Sequence, residues 1–68
     1  MKAEIRRAAL DRGVTNLIET MAEICGRANA TICQRLNGKT QWQAEEIRAV
    51  RDAWGLSAEE VNKMFIDT

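Results

Sequence analysis

The side chains with the clearest chemical potential lie in a stretch near the middle of the chain. No acidic residue occurs between Glu23 and Glu45. The stretch between them holds three basic and five amide side chains: Arg27, Asn29, Gln34, Arg35, Asn37, Lys39, Gln41 and Gln43. Amides can hydrogen-bond to base edges and basic groups can contact phosphates, so this composition favours nucleic-acid binding. An ordinary solvated surface can have the same composition, and charge alone does not separate the two interpretations.

The charges are unevenly distributed along the chain. The formal net charge is zero, which taken alone argues against strong nonspecific nucleic-acid binding. Residues 1–44, however, hold seven basic and four acidic side chains, a net charge of +3, and residues 45–68 carry the opposite net charge of −3. The basic half contains the polar stretch.

The residue types needed for catalysis are scarce. There is no His and no Tyr, and the single Ser, Ser57, occupies a helix-capping context, so a nucleophile and base of the usual kinds cannot be paired. The neighbouring carboxylates Glu45/Glu46 and Glu59/Glu60 each begin a predicted helix, where acids complement the helix dipole. We therefore expect no enzymatic activity.

Two cysteines, Cys25 and Cys33, have a spacing that matches no CxxC or zinc pattern. Without His, the usual zinc ligand sets are also incomplete. We expect two buried thiols that pack as small hydrophobic groups, with no metal and no cofactor.

Length and composition indicate one helical domain spanning 1–68. The chain has 68 residues, no Pro and four Gly, and 46% of its residues are hydrophobic. This composition is typical of a folded, soluble domain, and no apolar run approaches the roughly 18–20 residues that cross a bilayer. The start, Met1-Lys2-Ala3-Glu4, lacks an apolar signal core, so a cytoplasmic location is expected.

Capping residues and glycines divide the chain into five short helices. The predicted segments are about 2–12, from after Asn16 to Gly26, about 29–36, about 44–54, and from Ser57 towards the C-terminus. Asn16 with Glu19 and Ser57 with Glu60 form capping patterns. The fold class is therefore all-α, a compact five-helix domain with an expected radius of gyration of about 11 Å.

Apolar residues at helical spacing predict the core. In the first helix the predicted inward residues are Ile5, Ala8, Ala9 and Leu10. Further inward residues are Leu17, Ile18, Met21, Ala22, Ile24, Cys25, Ile32, either Arg35 or Leu36, Ile47, Val50, Trp54, Val61, Met64 and Phe65. Trp42 stands alone before the fourth helix, where we expect it to fill the core rather than to stack on a ligand.

The second and third predicted helices form a helix-turn-helix pattern. Such a pair needs a small residue where the helices cross, a residue in the turn that tolerates positive φ, and an apolar anchor in the second helix. Ala22, Gly26 and Ile32 meet these requirements. Glycine-joined helix pairs also occur in bundles that bind no DNA, so the pattern alone leaves both functions open.

The chain resembles the lambda-repressor-like helix-turn-helix family, which includes the Cro and XRE-type repressors, and especially its small phage-associated members. The resemblance covers about residues 12–66 and depends on 22–26 (AEICG), 31–39 (TICQRLNGK) and 56–61 (LSAEEV). It implies a five-helix lambda-repressor-like domain. In that family the second helix of the motif enters the major groove.

The resemblance also implies which residues contact DNA. By position, Asn29, Ala30 and Gln34 would face the bases, and the amides would favour adenine. The backbone contacts would be Arg27, Arg35, Asn37, Lys39 and Thr40. Five of these residues have a structural alternative: Asn29 as a helix N-cap, Asn37 as a turn residue, and Gln34, Lys39 and Arg35 as solvated side chains. The family usually has Thr-Gln at the start of the first motif helix, where this chain has Leu17-Ile18.

Two functions follow as expectations. The first is a sequence-specific, DNA-binding transcriptional regulator of the repressor or Cro-like type that binds double-stranded DNA as a homodimer on a pseudo-palindromic operator. Its dimer contact would lie in the last helix, near Met64, Phe65 and Ile66, unless the first two belong to the core. The alternative is an interaction module that binds another regulatory protein through exposed apolar residues such as Leu17, Ile18 or Ile66.

Overall fold

The computed structural model describes residues 3–66, and its elements form an all-helical fold. The helices are α1 (Ala3–Asp11), α2 (Leu17–Cys25), α3 (Asn29–Leu36), α4 (Ala44–Trp54) and α5 (Ala58–Val61), followed by a π-helical turn over Asn62–Ile66. The five predicted helices are confirmed, and the radius of gyration is 10.7 Å. The predicted first helix begins at Lys2, which lies outside the described residues. Within residues 3–66, no helix is long and apolar enough to cross a membrane.

Local signals determine where the helices begin and end. The Asn16 side chain accepts a hydrogen bond from the Glu19 N–H at 3.2 Å and so caps α2. At α5 the capping is reciprocal: Ser57 Oγ accepts from the Glu60 N–H, and the Ser57 N–H donates to Glu60 Oε1. Gly26 ends α2 with φ +66°, a left-handed conformation that costs glycine little.

Helix α2 lies at the centre of the packing and contacts both α3 and α4, while α1 packs against the π-helical turn. The buried apolar residues are Ile5, Ala8, Ala9, Met21, Ala22, Ile32, Leu36, Val50, Leu56 and Met64. The prediction that Leu10 belongs to this core is wrong, because 67% of Leu10 is exposed. Each residue turns about 100° around a helix, so Leu10 points away from the stripe that Ile5, Ala8 and Ala9 form.

The C-terminal segment departs from the expected single helix. After one turn, α5 widens into the π-helical turn, which buries Met64 and leaves Ile66 61% exposed. Phe65 is half-buried, and its ring meets the edge of Trp42 with the centroids 5.1 Å apart. Met64 therefore belongs to the core and Phe65 packs against it, as the alternative interpretation of this segment predicts. Trp42 likewise packs against the core, although it is only partly buried.

Arg12 connects the end of α1 to the end of α4. Its Nη2 donates to the Trp54 carbonyl oxygen at 2.8 Å and its Nη1 to the Ala8 carbonyl oxygen at 2.9 Å. The guanidinium also lies 5.5 Å from the centre of the Trp54 ring. The carbonyl groups at two helix ends thus gain a charged donor, which complements the negative end of each helix dipole.

Candidate nucleic-acid interface

Helix α3 presents a polar face to solvent. Ile32 is fully buried and Leu36 is 3% exposed, so these two residues hold the helix against the core. Gln34 lies about 180° around the helix from this pair, and Ala30 lies beside it, since each residue turns about 100°. Both are exposed. Asn29 is also exposed, but it lies about 60° around the helix from Ile32, so it is open to solvent because it is in the first turn and not because it shares the side of Gln34. The structure therefore brings the three predicted base-facing residues to the surface at the N-terminal half of α3 and its centre.

The interpretation of Asn29 as the N-cap of α3 is wrong. The N-cap is Ala28, whose backbone is extended and whose methyl side chain makes no capping hydrogen bond. Asn29 is consequently the first residue of the helix, and its amide has no hydrogen-bond partner within residues 3–66. An uncapped helix start beside an unpaired amide leaves several donors available to an external acceptor.

The turn after α3 carries the predicted backbone-contacting residues. Asn37 is exposed, and its Nδ2 donates to Cys33 Sγ at 3.5 Å. Gly38 has φ +77°, and Lys39 follows it as an exposed residue with no ion-pair partner in the described part of the chain. Thr40 is partly buried, and its Oγ1 accepts a hydrogen bond of 2.6 Å from Arg35 Nη1. Lys39 is therefore the residue of this turn with its charge directed to solvent.

The two arginines predicted to contact the DNA backbone, Arg27 and Arg35, are both paired with Glu46. Arg35 binds the Glu46 carboxylate at two points, with Arg35 Nε 2.9 Å from Glu46 Oε1 and Arg35 Nη2 3.2 Å from Glu46 Oε2. Arg27 Nε donates to Oε2 at 3.0 Å. The Arg35 side chain is 10% exposed and that of Arg27 is 34% exposed. In the free protein these guanidiniums thus form a bridge from α3 and its preceding turn to α4.

Glu46 is the important residue that sequence reasoning missed. It was assigned only a dipole role at the start of α4, yet it is 1% exposed and accepts a fourth hydrogen bond from the Gln43 N–H at 2.8 Å. The Gln43-x-x-Glu46 spacing is a capping pattern that directs the Glu46 side chain back along the helix. Together with two arginines inside a stretch that holds no acid from residue 24 to residue 44, this spacing is the signal that could have identified the cluster.

The electrostatics of Glu46 follow from these contacts. Burial by itself raises the pKa of this carboxyl, but hydrogen bonds from Arg35, from the Gln43 N–H and from Arg27 outweigh burial and hold its pKa below the ordinary 4.5. The hydrogen bond to Glu46 in turn raises the pKa of Arg35. No buried side-chain nitrogen or oxygen atom within residues 3–66 lacks a hydrogen-bond partner. Glu46 is therefore ionised and fully paired.

A pH dependence of stability follows from the lowered pKa of Glu46. Glu46 binds a proton less readily in the native state than in the unfolded chain. Its ionised carboxylate therefore contributes fully to the free energy of unfolding above the pKa of the unfolded state, and this contribution is lost as the pH falls through the pKa of the folded state. We expect the free energy of unfolding, measured in urea at several pH values, to decrease below about pH 4.5. Glu60, whose pKa the Ser57 N–H and hydroxyl lower, acts in the same direction. Glu46→Gln should flatten the decrease; an unchanged profile in this variant would contradict the assignment.

The expectation of two buried thiols is wrong in degree, because Cys25 and Cys33 are both half-buried. Burial, followed by the nearby Glu46 charge, raises the pKa of Cys25, and its Sγ lies 3.9 Å from the Glu46 carbonyl oxygen. A protonated thiol in this position behaves as a small packing group rather than as a nucleophile.

The start of α2 offers no cation to a phosphate. Leu17 and Ile18 are partly buried and pack against the core, so they are not the exposed apolar residues that the interaction-module interpretation requires. Glu19 is exposed in the same turn.

A groove of about 410 Å³ lies next to the turn after α3. Its lining residues are Arg35, Gly38, Thr40, Gln41, Trp42, Ile47, Phe65 and Ile66.

The predicted site therefore divides into two parts. The exposed residues of α3 and Lys39 are open to solvent. Arg27, Arg35 and Thr40 instead belong to the hydrogen-bonded cluster around Glu46. Comparison of the chain with protein families, curated proteins and solved structures gives no match.

Proposed function

We propose that the protein is a non-catalytic, sequence-specific DNA-binding regulator of the Cro-like repressor type that occludes a promoter in the cytoplasm. The observation that supports this proposal best is the exposed side of α3 that carries Ala30 and Gln34, opposite to the buried anchors Ile32 and Leu36. The exposed Asn29 amide lies next to this side, in the first turn of the helix. A short helix with this division of residues has the shape and the donor groups that a major groove accepts.

The chemistry of this face favours A·T-containing half-sites. Asn29 and Gln34 can each form paired hydrogen bonds with an adenine, and the Ala30 methyl can contact the methyl group of thymine. Asn37 and Lys39 extend the face towards the DNA backbone. One domain of this size buries little surface on DNA, so the proposal includes a homodimer on two half-sites about one helical turn apart. Ile66 is the exposed apolar residue of the C-terminal segment through which such a dimer would form.

The test is selection of binding sequences from a randomised duplex pool at about 50 mM salt, repeated at about 200 mM. Phosphate contacts weaken over this range, while base contacts keep their preference. We expect an enriched inverted repeat at both salt concentrations. The proposal would be contradicted by an absence of binding, or by binding that disappears at the higher salt concentration without any enriched sequence.

Gln34→Ala is expected to relax specificity at one base pair of each half-site. Loss of a two-point contact to adenine costs about 1–3 kcal/mol of discrimination. Because Gln34 is exposed and points away from the core, the same variant should leave the urea midpoint unchanged. The measurement is the affinity for the selected operator and for operators changed at single base pairs. A uniform loss across all of these duplexes would assign Gln34 to the backbone or to folding instead.

A second candidate function is an interaction module that binds another regulatory protein. The observation that favours it is the internal pairing of Arg27 and Arg35, which reduces the positive charge next to α3. Binding of this kind depends on apolar contacts and changes little with salt. Failure to select any DNA sequence, together with salt-insensitive binding of a protein partner, would favour this candidate.

A further inference from the structure

We infer that Glu46 makes DNA binding depend on sequence by holding Arg27 and Arg35 away from the phosphate backbone. The inference rests on the proposed function, and it concerns the acid-free stretch between Glu23 and Glu45. That stretch has three basic side chains. Arg27 and Arg35 bind Glu46, whereas Lys39 is exposed and has no ion-pair partner among residues 3–66.

The positions of these arginines explain why their pairing affects DNA binding. Arg27 lies in the turn before α3 and Arg35 in its last turn, and both guanidiniums meet at the Glu46 carboxylate beside the proposed recognition helix. In this location an unpaired arginine could bind phosphates. Phosphate contacts raise the affinity for every sequence alike and add no discrimination.

The Glu46 carboxylate is suited to retain both arginines. Its side chain has no exposed surface, and the Gln43 N–H fixes its orientation. An arginine that left for a phosphate would leave a buried charge incompletely paired, which is unfavourable. Glu45, whose side chain is 83% exposed, lies 3.8 Å from Arg27 and further reduces the charge that the surface presents.

Base contacts do not depend on this arrangement. Asn29 and Gln34 are exposed and make no hydrogen bonds to the cluster, so pairing of the arginines lowers nonspecific affinity without removing base recognition. The ratio of specific to nonspecific affinity is thereby increased.

The experiment measures how the affinity for a duplex without operator sequence changes between about 50 and 200 mM salt. Each phosphate contact contributes about 0.9 to the slope of log K against log salt concentration. The variants are Glu46→Gln and Glu45→Gln, which remove the same charge from adjacent residues, and Lys39→Gln, which removes the exposed cation. Lys63→Gln is the charge-matched control for Lys39, because Lys63 is exposed on the π-helical turn. Circular dichroism at the assay temperature establishes that each variant is folded.

We expect Glu46→Gln to bind the nonspecific duplex several-fold more tightly than Glu45→Gln and to steepen the salt slope by about 0.9 for each arginine released. Destabilisation alone would lower affinity, so an increase identifies released arginines. Equal slopes in the two glutamate variants would overturn the inference. If Glu46→Gln does not fold, Arg27→Gln decides: an unchanged slope supports the inference, and a loss of about 0.9 contradicts it.

The same data distinguish failure of this inference from failure of the proposed function. If the unmodified protein selects an operator and Lys39→Gln lowers its slope, but the glutamate variants behave alike, only the role of Glu46 is disproved. If the unmodified protein binds no duplex even at about 50 mM salt, both are disproved together.

Discussion

Glu46→Ala is expected to remove about 3 kcal/mol from the free energy of unfolding. Deleting one member of a buried ion pair typically costs 3–5 kcal/mol, because the remaining charges stay buried without a partner. The lower end applies here because the Arg27 side chain is already 34% exposed and can regain water. The Gln43 N–H also loses its acceptor. A chain of this length has a total stability of roughly 3–10 kcal/mol, so the variant loses a large share of it.

Urea denaturation followed by circular dichroism at neutral pH measures this loss. Glu45→Ala is the matched control, since it removes a carboxylate at the neighbouring position and in the same helical turn but from an exposed side chain. The free energy of unfolding of Glu45→Ala should differ from that of the unmodified protein by less than about 0.5 kcal/mol. A loss of less than about 1 kcal/mol for Glu46→Ala would mean that the cluster relaxes or hydrates without penalty.

Ile32→Ala should be similarly damaging, for a different reason. Ile32 is fully buried, and truncation of a buried isoleucine to alanine costs about 2–5 kcal/mol through lost burial and the cavity that remains. Helix α3 has eight residues, too few to be stable on its own, so it depends on this anchor and on Leu36. We expect the variant to unfold at much lower urea concentration than the unmodified protein.

A graded substitution separates packing from other effects at this position. Ile32→Val removes one methylene group and should cost about 0.5–1.5 kcal/mol under the same conditions. If both variants lose less than about 0.5 kcal/mol, the core repacks around the site and Ile32 does not anchor α3.

Local signals were sufficient to predict helices α1 to α4 and the start of α5. The bounds of α4 were predicted correctly, because a polar segment precedes it and Gly55 ends it in a left-handed conformation. The caps at Asn16 and Ser57 were predicted equally well, since each depends on a residue three positions away. These two interactions span one turn of helix, so they could be deduced from the sequence with no knowledge of the remaining fold.

Only those parts of the candidate site that depend on residues close together in the sequence could be predicted. The exposure of Gln34 and the burial of Ile32 follow from helical spacing within α3. The pairing of Arg27 and Arg35 with Glu46 does not, because the partners lie 19 and 11 residues apart and meet only when α2, α3 and α4 pack together. The π-helical turn was missed for the same reason, since its form accompanies the burial of Met64 against the rest of the core.

The contact between Trp42 and Phe65 has a spectroscopic consequence. The chain has two tryptophans, one phenylalanine and no tyrosine, so emission excited selectively in the indole band comes entirely from two indole rings. Trp42 is partly exposed and borders the groove beside the turn that follows α3, whereas Trp54 lies under the Arg12 guanidinium at the end of α4. Replacement of Trp54 by phenylalanine would leave a single fluorophore next to the proposed interface. The emission of Trp42 could then report occupancy of that interface without an attached dye.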